Sequence, residues 1–110
     1  MKQMYRLRLR KDIETVVRRG SRMDTPLLRA VALKNNVGHL RLALVVSRAT
    51  EKHSVARNRI RRRAREWVRT HPDTMALPFD LVFIFKKQAA TLLRKEFYDT
   101  IAEVCASLSR

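Results

Sequence analysis

Apolar positions along the chain follow two periods. Leu40, Leu42, Leu44 and Val46 alternate with Arg41, Ala43 and Val45, which predicts a half-buried strand over 40–46. Residues 27–33 are short and apolar, with Arg29 inside them, and also predict a strand. Between the two, residues 34–39 (KNNVGH) hold Asn35, Asn36 and Gly38, which tolerate positive φ. A hairpin is therefore expected there. Residues 80–85 (DLVFIF) are apolar on both faces, as in a central or parallel strand.

Three stretches have the helical period. Residues 12–19 set Ile13, Val16 and Val17 at i, i+3 and i+4, and Gly20 is a natural stop. Over 54–69, with Ser54 as the expected N-cap, winding at about 100° per residue gathers Ala56, Ile60, Ala64, Trp67 and Val68 on one arc. Over 91–108, Leu93, Phe97, Ile101, Val104, Cys105 and Leu108 recur at helical intervals opposite Arg94, Lys95, Glu96, Asp99 and Glu103. Residues 21–26 and 70–78 are polar or proline-bearing connections. Residues 1–10 form a basic arm in which Tyr5, Leu7 and Leu9 alternate with Arg6, Arg8 and Arg10, a pattern compatible with a short strand.

The order is helix, strand, strand, helix, strand, helix, with strand 40–46, helix 54–69 and strand 80–85 as one β-α-β unit. This predicts an α+β fold: a two-layer α/β sandwich with a small mixed sheet, a crossover carrying helix 54–69, and N- and C-terminal helices. Residues 1–110 make one domain, long enough for a single core without staples.

Charge changes the picture most at helix 54–69. Six of the nine residues from 57 to 65 are arginine, and Arg57, Arg61, Arg65 and Arg69 stand in one i,i+4 row. An ordinary solvated face mixes signs, because like charges at i,i+4 destabilise by about 0.2–0.5 kcal/mol. Here only Glu66 offers relief, to Arg62, Arg63 and Arg69. A polyanion would remove the strain, and arginine suits bidentate phosphate contact. The net charge is +15. Residues 1–70 hold 20 Lys+Arg against 5 Asp+Glu, whereas 71–110 hold 5 of each. A basic face is expected, rather than a uniformly basic particle.

Other chemistry is sparse. His39, His53 and His71 lie in connections with no metal-ligand spacing around them, and no Gly-rich phosphate loop occurs. No catalytic residue and no protein-held metal is expected. Cys105, the only cysteine, rules out an internal disulfide and reads as a core thiol. No apolar run approaches the roughly 18 residues of a membrane span, and the basic start lacks the apolar stretch of a secretory signal. A cytoplasmic protein is the simplest expectation. Entry of helix 54–69 into a DNA major groove is disfavoured, because Ile60 and Trp67 tie it to a core.

Residues 57–66, RNRIRRRARE, resemble the signature of the bacterial ribonuclease P protein family, roughly R-N-R-I-K-R-x-x-R-E after a strand ending V-S-K-K. Here that strand ends Val46-Ser47-Arg48. The short first helix, the strand pair, the Asp80-Leu81-Val82 strand and the amphipathic last helix extend the likeness over most of the chain. The resemblance implies a small protein cofactor of a ribozyme whose RNA subunit, with Mg2+ held mainly by that RNA, hydrolyses precursor tRNA to make the mature 5′ end. It implies a monomer within the holoenzyme and a left-handed β-α-β crossover. It implies RNA contacts from Arg57, Asn58, Arg59, Arg61, Arg62 and Arg65, and a basic position at Arg48. Lys52 and His53, beside them, are expected to join. A general or ribosome-associated RNA-binding protein is the alternative.

The likeness has departures. The family's leader-binding cleft, between first helix and sheet, commonly uses aromatics, and the matching Ile13, Val17 and Val31 are aliphatic. Base–aromatic stacking contributes about 1–3 kcal/mol per base. Leader binding is therefore expected to be weaker, or to rest on phosphate contacts from residues such as Lys86 and Lys87. The loop before the signature also lacks a glycine many members carry and runs one residue longer.

Overall fold

The doubly apolar segment sits in the middle of the sheet. The structure, a computed structural model, describes residues 2–91 and 93–109. Four strands, β1 (Ser21–Asp24), β2 (Leu28–Lys34), β3 (Arg41–Val45) and β4 (Phe79–Phe85), stand in the order β1-β2-β4-β3. β4 pairs antiparallel with β2 and parallel with β3. The helices are α1 (Arg10–Arg19), α2 (Ser54–Arg69), the one-turn α3 (Pro72–Met75) and α4 (Arg94–Leu108).

The expected hairpin does not form. β2 and β3 are separated by β4, which needs both neighbours because Leu81, Val82, Phe83 and Phe85 are all buried. The turn between β2 and β3 still takes its positive φ at Gly38 (+83°). It is closed by a polar clamp: Arg41 Nε and Nη2 each donate to Asp80 at 2.7 Å, and Asn35 Nδ2 donates to Asp80 Oδ1 at 2.9 Å. The expected connection 21–26 contains β1, an exposed polar edge strand on β2.

The strand pleat divides the interior in two. On one face Ala30, Ala32, Leu42, Leu81 and Phe83 pack with Ile60, Ala64, Trp67 and Val68 of α2 and Phe97, Ile101, Val104 and Cys105 of α4. On the other, Val31, Ala43 and Val82 meet Val16 of α1 and Leu7 of the arm. The α+β fold holds, and its two layers describe the main core; α1 adds a smaller layer behind the sheet. Leu93, counted with the apolar face of the last helix, precedes α4 and is exposed.

Gly20 stops α1 for a different reason from the one expected. Its φ is −76°, so no left-handed conformation is involved. A Cβ there would lie 2.6 Å from the Val16 carbonyl oxygen and 2.8 Å from that of Ala32. The glycine lets the end of α1 press onto β2.

Candidate nucleic-acid interface

The main helix is anchored by its back. Ile60, Ala64, Trp67 and Val68 are buried, and Ala56 is half-buried at the start of the same arc. The Trp67 ring stacks on His71, with centroids 3.7 Å apart and planes 12° from parallel. Ser54 is the first helical residue and not the cap; His53 occupies that position, and no side chain caps the helix. The opposite side of α2 therefore faces outward because the apolar arc leaves it nowhere else to go.

The expected RNA-contact residues fall into three groups. Arg59 and Arg62 are exposed, and among the described residues neither has a protein partner. Arg48 and Lys52 are likewise exposed beside the helix start, with free side chains. Arg61 and Arg65 are half-exposed; Arg61 donates to Asn58 Oδ1 at 3.0 Å. Burial, and then the Arg6 and Arg61 charges, hold the Arg65 guanidinium below the ordinary arginine pKa.

Arg57 and His53 are engaged within the protein. Arg57 Nη1 donates to the carbonyls of Glu51 and Lys52, both at 3.0 Å, so it braces the loop rather than standing free. His53 contacts Glu51 Oε1 through both its backbone N–H (3.1 Å) and ring Nδ1 (3.0 Å). These hydrogen bonds, the backbone one first, lower the Glu51 pKa. Relief from Glu66 also differs from the expectation. It pairs with Arg69, with Arg69 Nε donating at 3.1 Å, and among the described residues Arg62 and Arg63 have no carboxylate.

The loop before α2 is built without the missing glycine. Thr50 N–H donates to both the carbonyl and the hydroxyl of Ser47, each at 3.1 Å, and Thr50 Oγ1 donates to the Phe85 carbonyl at 3.2 Å. That last bond ties the loop to the end of β4. Since β3 and β4 run parallel, Arg48 follows one strand and Lys86 and Lys87 follow the other, at the same end of the sheet.

At the expected cleft the residues separate. Ile13 and Val17 on α1 are half-buried, but Val31 is fully buried beneath them, so its side chain offers no surface. Lys86 is held by Asp24 at 3.2 Å, and the same carboxylate oxygen accepts from Arg29 Nε at 2.9 Å. Hydrogen bonds from Arg29 and then Lys86 lower the Asp24 pKa. Lys87 is exposed.

The arm supplies residues that were not expected to take part. Arg6 bridges Leu42 in parallel and Leu7 N–H donates to the Leu42 carbonyl at 2.9 Å. The alternation of residues 5–10 was the signal, but it did not say which strand the arm would join.

Comparison with known proteins decides the family. The Ribonuclease P family model matches residues 1–109. The chain belongs to the ribonuclease P protein family. The ribonuclease P protein component of Vibrio cholerae is 34% identical over 97 residues, covering 88% of this chain and 81% of that one. That of Exiguobacterium sibiricum is 30% identical over 105 residues, covering 94% and 90%. A Staphylococcus aureus RNase P protein mutant shares the fold, with a TM-score of 0.87 at 22% identity over 97% of this chain and 90% of that one. The chain is thus the protein part of a tRNA-processing endoribonuclease and has an RNA subunit as its partner.

Two further observations bound the site. Among the described residues no group of three or more His, Cys, Asp or Glu side chains is placed to hold a metal ion. No helix among them is long and apolar enough to cross a membrane.

Proposed function

We propose that the outward side of α2 and the loop before it bind the ribonuclease P RNA, through Arg48, Lys52, Asn58, Arg59, Arg61, Arg62 and Arg65. Arg57 and His53 shape the loop that presents them. The observation that carries this reading is the set of arginines without carboxylate partners among the described residues, on a helix whose back is locked in the core. In a free protein such a face is repulsive; phosphates turn each repulsion into an attraction.

The end of the sheet that holds Lys86 and Lys87, with Ile13 and Val17 nearby on α1, takes the 5′ leader of precursor tRNA. Contacts there are mainly to phosphate, since the exposed aliphatic edges supply no stacking surface. Mg2+ stays with the RNA, which carries the hydrolytic step. The protein acts as a monomer within the holoenzyme, in the cytoplasm.

The test adds the protein to a bacterial ribonuclease P RNA at low magnesium and follows 5′ cleavage of precursor tRNA. Stimulated cleavage is expected. Unchanged cleavage together with equal binding to unrelated RNA would replace this reading with that of a general RNA-binding protein.

A further inference from the structure

The pleat of the sheet decides where the arm sends its side chains. Arg6 lies opposite Leu42 in a parallel pairing. Paired residues share a face, and Leu42 faces the core that holds α2. Leu7, next in line, must point the other way, and it is buried with Val16 and Ala43 behind the sheet. The arm is therefore pinned by an apolar side chain on one face, while its arginine is delivered to the α2 side on the other.

Arg61 and Arg65 stand on that side. The Arg6 charge is close enough to act on Arg65, as is that of Arg61. Among the described residues none of the three makes an ion pair with a carboxylate. Three like charges from two distant chain segments thus lie on one side of the sheet, with no described carboxylate paired to any of them. Such a meeting opposes docking of the arm, which Leu7 burial and the Leu42 hydrogen bond must outweigh.

We propose that Arg6, Arg61 and Arg65 form one phosphate-binding cluster for the RNA backbone, and that RNA bound there clamps the N-terminal arm against β3. The inference rests on the α2 reading above and adds to it a contact outside the signature helix. It also makes arm docking and RNA binding reinforce each other, because a bridging phosphate cancels the repulsion that loosens the arm.

A simple structural role and the phosphate role predict opposite signs for one substitution. Arg6→Gln keeps most of the stem and removes the charge; Arg6→Lys keeps the charge. In the free protein, hydrogen exchange at the Leu7 amide should be no faster in Arg6→Gln than in the wild type, since repulsion has been relieved. On ribonuclease P RNA, Arg6→Gln should bind about sixfold more weakly at 0.1 M salt, the effect of one released counterion, with the log–log salt slope shallower by about 0.7–0.9. Arg6→Lys should recover most of the affinity. RNA should slow Leu7 exchange in the wild type and much less in Arg6→Gln.

Binding to the ribonuclease P RNA alone and precursor tRNA affinity of the assembled holoenzyme are measured separately. Loss in the first assigns the phosphate to the catalytic RNA; loss only in the second assigns it to the substrate. Faster Leu7 exchange in free Arg6→Gln would make Arg6 a structural prop and overturn the proposal. So would wild-type binding by Arg6→Gln in both assays while Arg62→Ala binds weakly, an outcome that leaves the α2 interface standing. If Arg62→Ala also binds like the wild type, the α2 reading itself fails.

Discussion

Trp67 and Arg62 show how one helix divides its labour residue by residue. Trp67 is buried between α2 and its neighbours and stacked on His71, so Trp67→Ala should cost about 3–5 kcal/mol. Arg62 is exposed and has no partner among the described residues, so Arg62→Ala should leave stability within about 0.5 kcal/mol while weakening RNA binding. Thermal unfolding and RNA titration of the two variants measure this crossing pattern; a matched stability loss in Arg62→Ala would make that side chain structural. Cys105 makes a third case. Burial pushes its thiol pKa up to about 12, so the folded protein keeps the thiol protonated where an unfolded chain, at about 8.5, ionises. Its contribution to stability is therefore full below that value and is lost as pH rises towards 12. Thiol reagents at neutral pH should react only as fast as the protein opens, and Cys105→Ala should flatten the alkaline part of the stability curve.

Elements were legible where one force dominated them. α2 was readable to within a residue at its start because its apolar arc and lack of breakers agree, and β4 because its two apolar faces demand a central place. β1 was hidden, since Ser21, Arg22, Met23 and Asp24 carry no apolar alternation and lie at an edge of the sheet. The hairpin expectation failed because turn chemistry at Gly38 is local, whereas the insertion of β4 between β2 and β3 is a long-range choice made by burial. Val31 was misplaced as a cleft residue for a related reason: a valine in a strand shows its face by parity but not what lies over it. Gly20 carries the element-scale prediction. Gly20→Ala would usually stabilise an ordinary backbone position by about 0.4–1 kcal/mol. Here the added methyl meets two carbonyl oxygens and Val31 Cγ1 at 2.6–2.8 Å, so α1 must lift from β2. A loss of about 1–3 kcal/mol is expected instead, read as a lower denaturation midpoint. A stabilised variant would show that the α1–β2 contact yields without cost.

At the scale of the whole molecule, folding sorts charge that the sequence merely accumulates. The excess lies entirely within residues 1–70; the fold brings three parts of that stretch together, setting the arm on β3, the 47–53 loop against the end of β4, and α2 over the sheet. Intramolecular pairing then occupies some cations in the free protein. Asp24 holds Arg29 and Lys86, Asp80 holds Arg41, and Glu66 holds Arg69. Among the described residues Arg48, Lys52, Arg59, Arg62 and Arg65 have no such partner, and these should set the salt dependence of RNA binding. Each phosphate they neutralise contributes about −0.7 to −0.9 to the slope of log affinity against log salt. Four or more such contacts give a slope of roughly −3 or steeper, measured by titrating ribonuclease P RNA with the protein between low and physiological salt. Arg69→Ala, which removes a cation already paired with Glu66, should change the slope less than Arg62→Ala does. A slope near zero would mean that apolar or stacking contacts hold the RNA, and the unpaired arginines would then need another explanation.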